Sequence, residues 1–407
     1  MAETPRKTII NSWNEWDPLK HVIVGVPDFA CVASPEPALA LDLASLISTF
    51  EPDRDENFWD RYPEAKKNLE ERGWTQFPEE VIAIAREEMD HLAKTLEDHG
   101  VRVDRPTPID FSQKVQTPDW EHEGMVGIMP PRDILLPIGN EIIEATMSQR
   151  SRWFEFICYR DLLEQYFKED PNFEWSAAPK PRLSDATYIH DFWEKWLDTL
   201  INEGEAAVVE KFTKPRAWRN TEKEPLWDAA DLMRFGKDVF VQLSVMTNDA
   251  GFDWLKRHLE PKGFRVHPMH FASFLPWHSD TTFFGARPGL LFRNTHYPSL
   301  DPRFYELFRI NDWEIVDLVE PTVTETHPLS SSSIYLAYNV FSIDPNTIVV
   351  EAGETGLQEQ LDQHGITPVP VPFGNVAPFG GALHCATCDI FREGDMEDYF
   401  PKQIAGY

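Results

Sequence analysis

The stretch Trp254-Leu-Lys-Arg-His-Leu259, followed by Gly263 and Phe264-Arg-Val266, reads as the end of a helix, a glycine stop and a short strand. The same order occurs earlier. Between Glu79 and His99, Ile82, Ala85, Met89, Leu92 and Leu96 form a helical stripe, and Gly100 and Val101-Arg-Val103 follow. It occurs again as Leu357-Gln-Glu-Gln-Leu361, Gly365 and Ile366-Thr-Pro-Val369. A fainter copy runs from Phe304 to Phe308 and then Trp313-Glu-Ile-Val316. Five short apolar runs have the look of buried strands: Val22-Ile-Val24, Ile134-Leu-Leu136, Val239-Phe-Val241, Leu290-Leu-Phe292 and Ile348-Val-Val350. Together they suggest a roughly fivefold repetition of a ββαβ-like unit, which closes naturally into a propeller-like α/β ring. An ordinary α/β sheet is the alternative that periodicity alone leaves standing.

The whole chain narrows the function. Its 407 residues are 42% hydrophobic and 13% aromatic, enough for a sizeable core. Its net charge of −30 opposes binding to nucleic acid or to anionic membranes. Four cysteines make no disulfide framework, so a reducing compartment is expected. The start, Met-Ala-Glu-Thr-Pro-Arg-Lys-Thr-Ile-Ile, has neither the apolar core of a signal peptide nor an amphipathic presequence. No apolar run reaches the length of a membrane span. A cytoplasmic location is therefore expected. With no internal linker, residues 1–407 are expected to form a single domain.

Chemistry-bearing residues sit at comparable points of the repeat. Asp119 in Thr117-Pro-Asp-Trp120 comes shortly before the second apolar run, and Asp228 in Trp227-Asp-Ala-Ala-Asp231 before the third. His278 and Asp280 in Pro276-Trp-His-Ser-Asp-Thr281 precede the fourth, and Ser330 to Ser333 precede the fifth. Near the end, Phe379-Gly-Gly-Ala-Leu-His384-Cys385-Ala-Thr-Cys388-Asp389 places Cys385 where it would precede the first strand if the ring closes. Each residue has a plainer reading: a buried thiol, a helix-capping Asp228, a loop histidine, a polar turn. Cys385-Ala-Thr-Cys388 lacks the second ligand pair of a zinc site and lies far from the start of a βαβ unit, where a redox pair belongs. No metal or cofactor is expected. Shared placement favours one central constellation.

With those residues assembled, the chain resembles the glycine amidinotransferase family, including its bacterial inosamine and toxin-pathway members. The resemblance runs from Asn14-Glu-Trp-Asp-Pro-Leu19 to Cys385-Ala-Thr-Cys-Asp389. It includes Pro131-Arg-Asp-Ile-Leu135, Gly139-Asn-Glu-Ile-Ile-Glu144, Arg150-Ser-Arg152 with Phe154-Glu155, Ala178-Pro-Lys-Pro181 and Asp228-Ala-Ala-Asp231. It implies the fivefold pseudosymmetric α/β propeller of the guanidine-modifying enzymes. It also implies an amidinotransferase that moves the amidino group of L-arginine, through an amidino-cysteine, to a primary amine. By the same resemblance Cys385 matches the nucleophile, His278 the acid/base and Asp228 the partner of that histidine. Asp119 and Asp280 match carboxylates that contact the guanidinium, Ser332 and Ser333 a serine pair near the substrate. A homodimer is the family expectation.

The physical chemistry agrees. A guanidinium is planar and cationic, and carboxylates grip its N–H fork bidentately. The same carboxylates raise the thiol's pKa while no cation is present, so thiolate formation is expected to be partly substrate-assisted. The product would be ornithine, in a ping-pong scheme. The sequence departs from the family at specificity positions. Trp277 stands where a smaller aliphatic residue is common, and Tyr297 where an arginine can hold a carboxylate, with Arg293 nearby as a possible substitute. Ile189 to Glu224 matches poorly. These departures point to an acceptor bulkier than glycine, made in a specialised pathway. A guanidine hydrolase of the deiminase kind, using water, is the alternative enzyme. A catalytically silent binding protein on the same fold is the reading from another class.

Overall fold

The computed structural model describes residues 8–32, 36–39, 58–212, 219–272, 278–330 and 332–407. Its main sheets are five three-stranded units built by one rule. Two strands pair antiparallel, a helix crosses over, and a third strand returns parallel to the middle one. A parallel return needs such a crossover, which explains why each unit carries a helix at the same point. In chain order the second unit is Leu135–Ile138, Glu141–Glu144, helix Arg160–Glu169 and Glu174–Ala177. The third is Leu232–Phe235, Asp238–Gln242, helix Asp249–Leu259 and Arg265–Met269. The fourth is Phe283–Arg287, Leu290–Arg293, helix Pro302–Ile310 and Glu314–Asp317. The fifth is Phe341–Asp344, Thr347–Glu351, helix Thr355–Gln363 and Thr367–Val371.

The first unit closes the ring. Its middle strand Leu19–Val24 and third strand Arg102–Asp104 flank helix Glu79–Asp98, but its first strand is the chain's last, Thr387–Arg392. That strand pairs antiparallel with Leu19–Val24, opposing Cys388 to Ile23, and packs on Leu135–Ile138 of the second unit.

Helix Glu79–Asp98 shows how local sequence builds a unit. Val81, Ile82, Ala85, Met89, Leu92 and Leu96 are buried along one face, and Glu79 and Glu80 occupy the first turn, where the helix dipole favours acids. Gly100 then takes φ +79, as Gly263 and Gly365 take +98 and +72 at the equivalent stops. Asp312 holds this place in the fourth unit, with φ 64, and is the reason that copy reads faintly. The second unit has no such stop: its helix ends at Asp170, whose carboxylate accepts from Ile9 and Asn172 N–H.

One strand expectation needs correcting. Four of the apolar runs lie in middle strands, but Ile134-Leu-Leu136 spans a helical turn and the first strand of the second unit. The middle strand there is Glu141–Glu144, whose buried end carboxylates break the apolar run. Glu141 is paired with Lys262 and His258, and Glu144 with Arg160.

The apolar core is divided between neighbouring units. Ile23, Leu135, Ile142, Leu232 and Val239 share one cluster, Phe235, Phe240, Leu291 and Ile348 a second, and Val22, Leu92, Phe341 and Val349 a third. Beside the closing strand lies a buried ionic cluster. Asp389 receives Arg132 at 2.6 Å, Arg234 at 2.7 Å and Arg392 at 2.7 Å, and Glu15 receives Arg234 at 2.8 Å. The poorly matching segment holds helices Phe192–Glu203 and Glu205–Phe212, which pack together over Val245 and Met246. Among the described residues no helix is long and apolar enough to cross a membrane.

Candidate active site

Each unit presents a short turn just ahead of its first strand. Asp133 ends up two residues before Leu135, Asp231 one before Leu232, and Asp280 three before Phe283. Asn339 lies two before Phe341 and Cys385 two before Thr387. Equivalent positions in a ring face the same axis, and the turns indeed pack on one another.

Cys385 is buried at 3% exposure. Its Sγ lies 3.3 Å from Asp280 Oδ2 and 3.2 Å from Asn339 Nδ2. The glycine pair before it has a steric reason. Gly381 has φ +152, and a Cβ there would sit 2.5 Å from both Cys385 Cβ and Sγ. Burial, then the charges of Asp280 and Asp133, push the thiol well above its usual range. Asp280 also accepts from His384 Nδ1 at 3.0 Å. Burial opposes its charge, but the His384 bond and charge outweigh that, and Asp280 is held below the usual carboxylate range. His384 Nε2 reaches Glu15 at 3.5 Å and ties this corner to the ionic cluster.

His278 stands across from this group. Its Nε2 is 3.3 Å from Asp228 Oδ2, and its Nδ1 lies 3.7 Å from Asp133 Oδ1. Burial alone would lower this imidazole, but Asp133, Asp228 and Asp231 outweigh it and carry it up to about 10. Asp133 Oδ2 is held at 2.6 Å by Arg152, and Asp231 Oδ2 accepts from the Ser244 and Thr247 hydroxyls. The second oxygens of Asp133, Asp228 and Asp231 are buried and, among the described residues, accept no hydrogen bond. Burial raises Asp133 and Asp231 above the usual carboxylate range. Three buried acceptors beside one imidazole suit a planar ligand that brings positive charge and several N–H donors.

The structure brings Cys385, His278, Asp228 and Asp280 together. It corrects Asp119. That carboxylate pairs with the exposed Arg182, to which it is 3.0 Å at Nε, and it touches none of this group. The carboxylate beside His278 from this part of the chain is that of Asp133. Asp119 lies well ahead of the turn, so the chain between them carries it to a surface hairpin flanked by Val115–Gln116 and Glu121–His122. Asp133 was legible in principle, since it stands in the same relation to its strand as Asn339 and Cys385 do to theirs.

Ser332 and Ser333 are half-buried at the start of the turn Ile334–Tyr338, which packs against the turn carrying Asp280. The Ser333 hydroxyl meets Tyr297 OH at 3.3 Å. Tyr297 is buried, edge-on to Tyr335, and burial pushes its phenol up to about 12. Arg293 is engaged elsewhere, 2.5 Å from Asp317 and over the Tyr305 ring. Trp277 and Ser331 lie outside the described residues. Cys388 is fully buried and its Sγ faces Leu135 O at 3.8 Å, a packing position. Among the described residues no cluster of metal-ligating side chains is found.

The fivefold propeller places the chain among the guanidine-modifying enzymes. No protein-family model matches it. It is 37% identical to the mitochondrial glycine amidinotransferase of Gallus gallus over 98% of this chain and 86% of that one. It is 35% identical to the L-arginine:L-lysine amidinotransferase of Pseudomonas savastanoi pv. phaseolicola, over 95% and 96% of the two chains. Among solved structures, an amidinotransferase of the saxitoxin biosynthetic pathway from Microseira wollei superposes with a TM-score of 0.78 at 33% identity, covering 96% of this chain and 99% of that one. The chain belongs to the glycine amidinotransferase family and is an amidinotransferase.

Proposed function

We propose that residues 1–407 act as one domain that transfers the amidino group of L-arginine, through an amidino-Cys385 intermediate, to a primary amine bulkier than glycine. The observation that carries the donor side is the set of buried acceptor oxygens on Asp133, Asp228 and Asp231 beside His278. An arriving guanidinium supplies those oxygens with N–H donors. Its positive charge also favours the Cys385 thiolate that the carboxylates otherwise oppose. The thiol gives up its proton to solvent as the guanidinium enters, and the thiolate attacks the guanidino carbon. His278, held protonated by its carboxylates, gives a proton to the departing δ-nitrogen, so ornithine leaves as a neutral amine. The acceptor then enters as the free amine, attacks the amidino carbon and expels the Cys385 thiolate, while the imidazole takes the proton that the attacking nitrogen loses. Asp228 orients the ring and stabilises its cation throughout.

The acceptor reading rests on Tyr297. A neutral phenol occupies the position expected to hold a cation, and Arg293 is committed to Asp317. A small zwitterion such as glycine loses a charged anchor there. The Pseudomonas savastanoi relative, by its name, uses lysine. Two measurements test the proposal. Enzyme treated with arginine alone, quenched and digested, is expected to carry the added amidino mass on the Cys385 peptide and to release ornithine. An adduct on Cys388, or citrulline without an acceptor, overturns the transfer scheme. Glycine, lysine and larger amines then compete at equal concentration. Glycine winning on kcat/KM ends the acceptor reading, and if it loses, Tyr297→Arg is expected to move preference back toward it.

A further inference from the structure

Asn339 follows the turn Ile334–Tyr338 and lies two residues ahead of the fifth unit's first strand, at the point where the second, third and fourth units each present an aspartate. It is 1% exposed. Its side-chain oxygen accepts from two backbone donors, His384 N–H at 2.9 Å and Cys385 N–H at 3.1 Å. Those two donors fix the amide's orientation, because the NH2 group cannot accept them. The amide nitrogen is thereby turned to Cys385 Sγ, 3.2 Å away.

We propose that Asn339 is a further catalytic residue, the hydrogen-bond donor that holds the Cys385 thiolate through its formation and attack. The carboxylates near the sulfur oppose a negative charge on it. Asp280 touches it at 3.3 Å, and Asp133 lies within electrostatic range. A fourth aspartate in this ring would put another carboxylate against the sulfur. An amide supplies the same short side chain, the same clamp on the two backbone N–H groups, and a donor where the acid would repel. A backbone hydrogen bond from Ala382 acts in the same sense. Asn339 makes and breaks no bond. It is the thiolate counterpart of an oxyanion-hole donor, whose removal costs roughly 10²–10³-fold in kcat. Once the sulfur is bonded to the amidino carbon the donor has no anion to hold. It then favours the thiolate again as the leaving group of the second half-reaction.

The inference rests on Cys385 being the nucleophile of the proposed transfer, yet it can be read without arginine. The test follows site-resolved alkylation of Cys385 by iodoacetamide across pH, by mass spectrometry, in the full-length enzyme and in Asn339→Asp and Asn339→Ala. Melting temperatures are measured alongside. N339D keeps the acceptor for both backbone N–H groups and replaces the donor with an acid. It is expected to melt within a few degrees of the native enzyme. Its Cys385 alkylation midpoint is expected to move to higher pH, its alkylation at fixed pH to slow more than tenfold, and kcat to drop about 10²-fold with KM for arginine little changed. N339A loses clamp and donor together, so both melting temperature and alkylation are expected to fall. An N339D enzyme with the native alkylation profile overturns the proposal and leaves Asn339 as a clamp on the turn. If N339D does not fold, N339A alkylating at the native rate overturns it equally. Failure of the native enzyme to form the arginine adduct is a separate outcome, one that removes the transfer scheme rather than the thiolate donor.

Discussion

Asp133 lies beside His278 and Asp119 does not, although both are aspartates ahead of the same strand. The difference is the offset to the strand. Two residues before Leu135, the backbone of the turn Pro131–Ile134 is held by packing on the turn Ala229–Asp231, and the Asp133 carboxylate is delivered to His278. Asp119, further back, lies on a surface hairpin beside Arg182. Asp133→Asn is therefore expected to raise KM for arginine about 10- to 100-fold, the range for losing a hydrogen bond to a charged group of about 1.5–3 kcal/mol. It should also lower the pKa of His278 by removing the foremost charge that raises it. Asp119→Asn is expected to leave KM within about twofold, because an exposed ion pair contributes little. Steady-state kinetics with arginine as varied substrate, and the pH profile of kcat/KM, check both. Equal effects of the two variants would contradict the placement of the donor site.

At the scale of the element, two kinds of glycine have different reasons to be glycine. Gly365 stops helix Thr355–Gln363 with φ +72, and an added Cβ there meets nothing within 4 Å among the described residues. Its requirement is conformational alone. Gly365→Ala is expected to cost about 1 kcal/mol, the penalty of a left-handed residue that carries a Cβ. Activity should be unchanged. Gly381, also at positive φ, is confined by the nucleophile itself, because a Cβ would overlap Cys385 Cβ and Sγ. Gly381→Ala is expected to displace the thiol from Asn339 and Asp280 and to abolish most turnover, since a shift of about 1 Å in a reacting group costs about 10²-fold. Urea denaturation paired with kinetics separates the two. A Gly381→Ala enzyme with native kcat would show that the turn has room the geometry denies it.

At the scale of the molecule, the ring closes through charge as well as through strand pairing. Asp389, on the closing strand, binds Arg132 and Arg234 from the second and third units and Arg392 from its own strand. Glu15 binds Arg234 from the N-terminal segment. Burial opposes the charge on Asp389 and on Glu15, but the surrounding arginines outweigh it and hold both below the usual carboxylate range. A carboxylate with a depressed folded pKa adds stability that is complete above its unfolded pKa, about 4, and is lost as pH falls through the folded value. The enzyme is therefore expected to lose stability steeply on acidification below about pH 4. Asp389→Asn should cost about 3–5 kcal/mol at neutral pH, because it leaves buried guanidinium groups under-compensated. The variant's stability should then fall less steeply with acid than that of the native enzyme. Urea titrations of both proteins at pH 7 and in the acid range measure this, and parallel curves would show that Asp389 does not carry the dependence.

Local order was largely readable from the chain. A helix stripe, a residue able to adopt positive φ, and a short strand are local properties, so Gly100, Gly263 and Gly365 marked three units directly. Asp312 made a fourth faint because it adopts the same backbone without being glycine. The second unit was partly hidden because its middle strand carries glutamates that are satisfied by partners distant in sequence, Lys262 among them. Cys385, His278, Asp228 and Asp280 were legible as a group because of their shared placement ahead of strands, although each alone had a plainer reading. Tertiary structure alone decided which carboxylate reaches the imidazole and which stays on the surface. It alone showed that Arg293 is spent on Asp317, and that Asn339 turns its amide nitrogen to the sulfur. Those facts depend on turns from separate units meeting at one axis. Sequence spacing fixes the order of residues along a strand or helix, whereas contacts across the axis exist only once Thr387–Arg392 has paired with Leu19–Val24 and closed the ring.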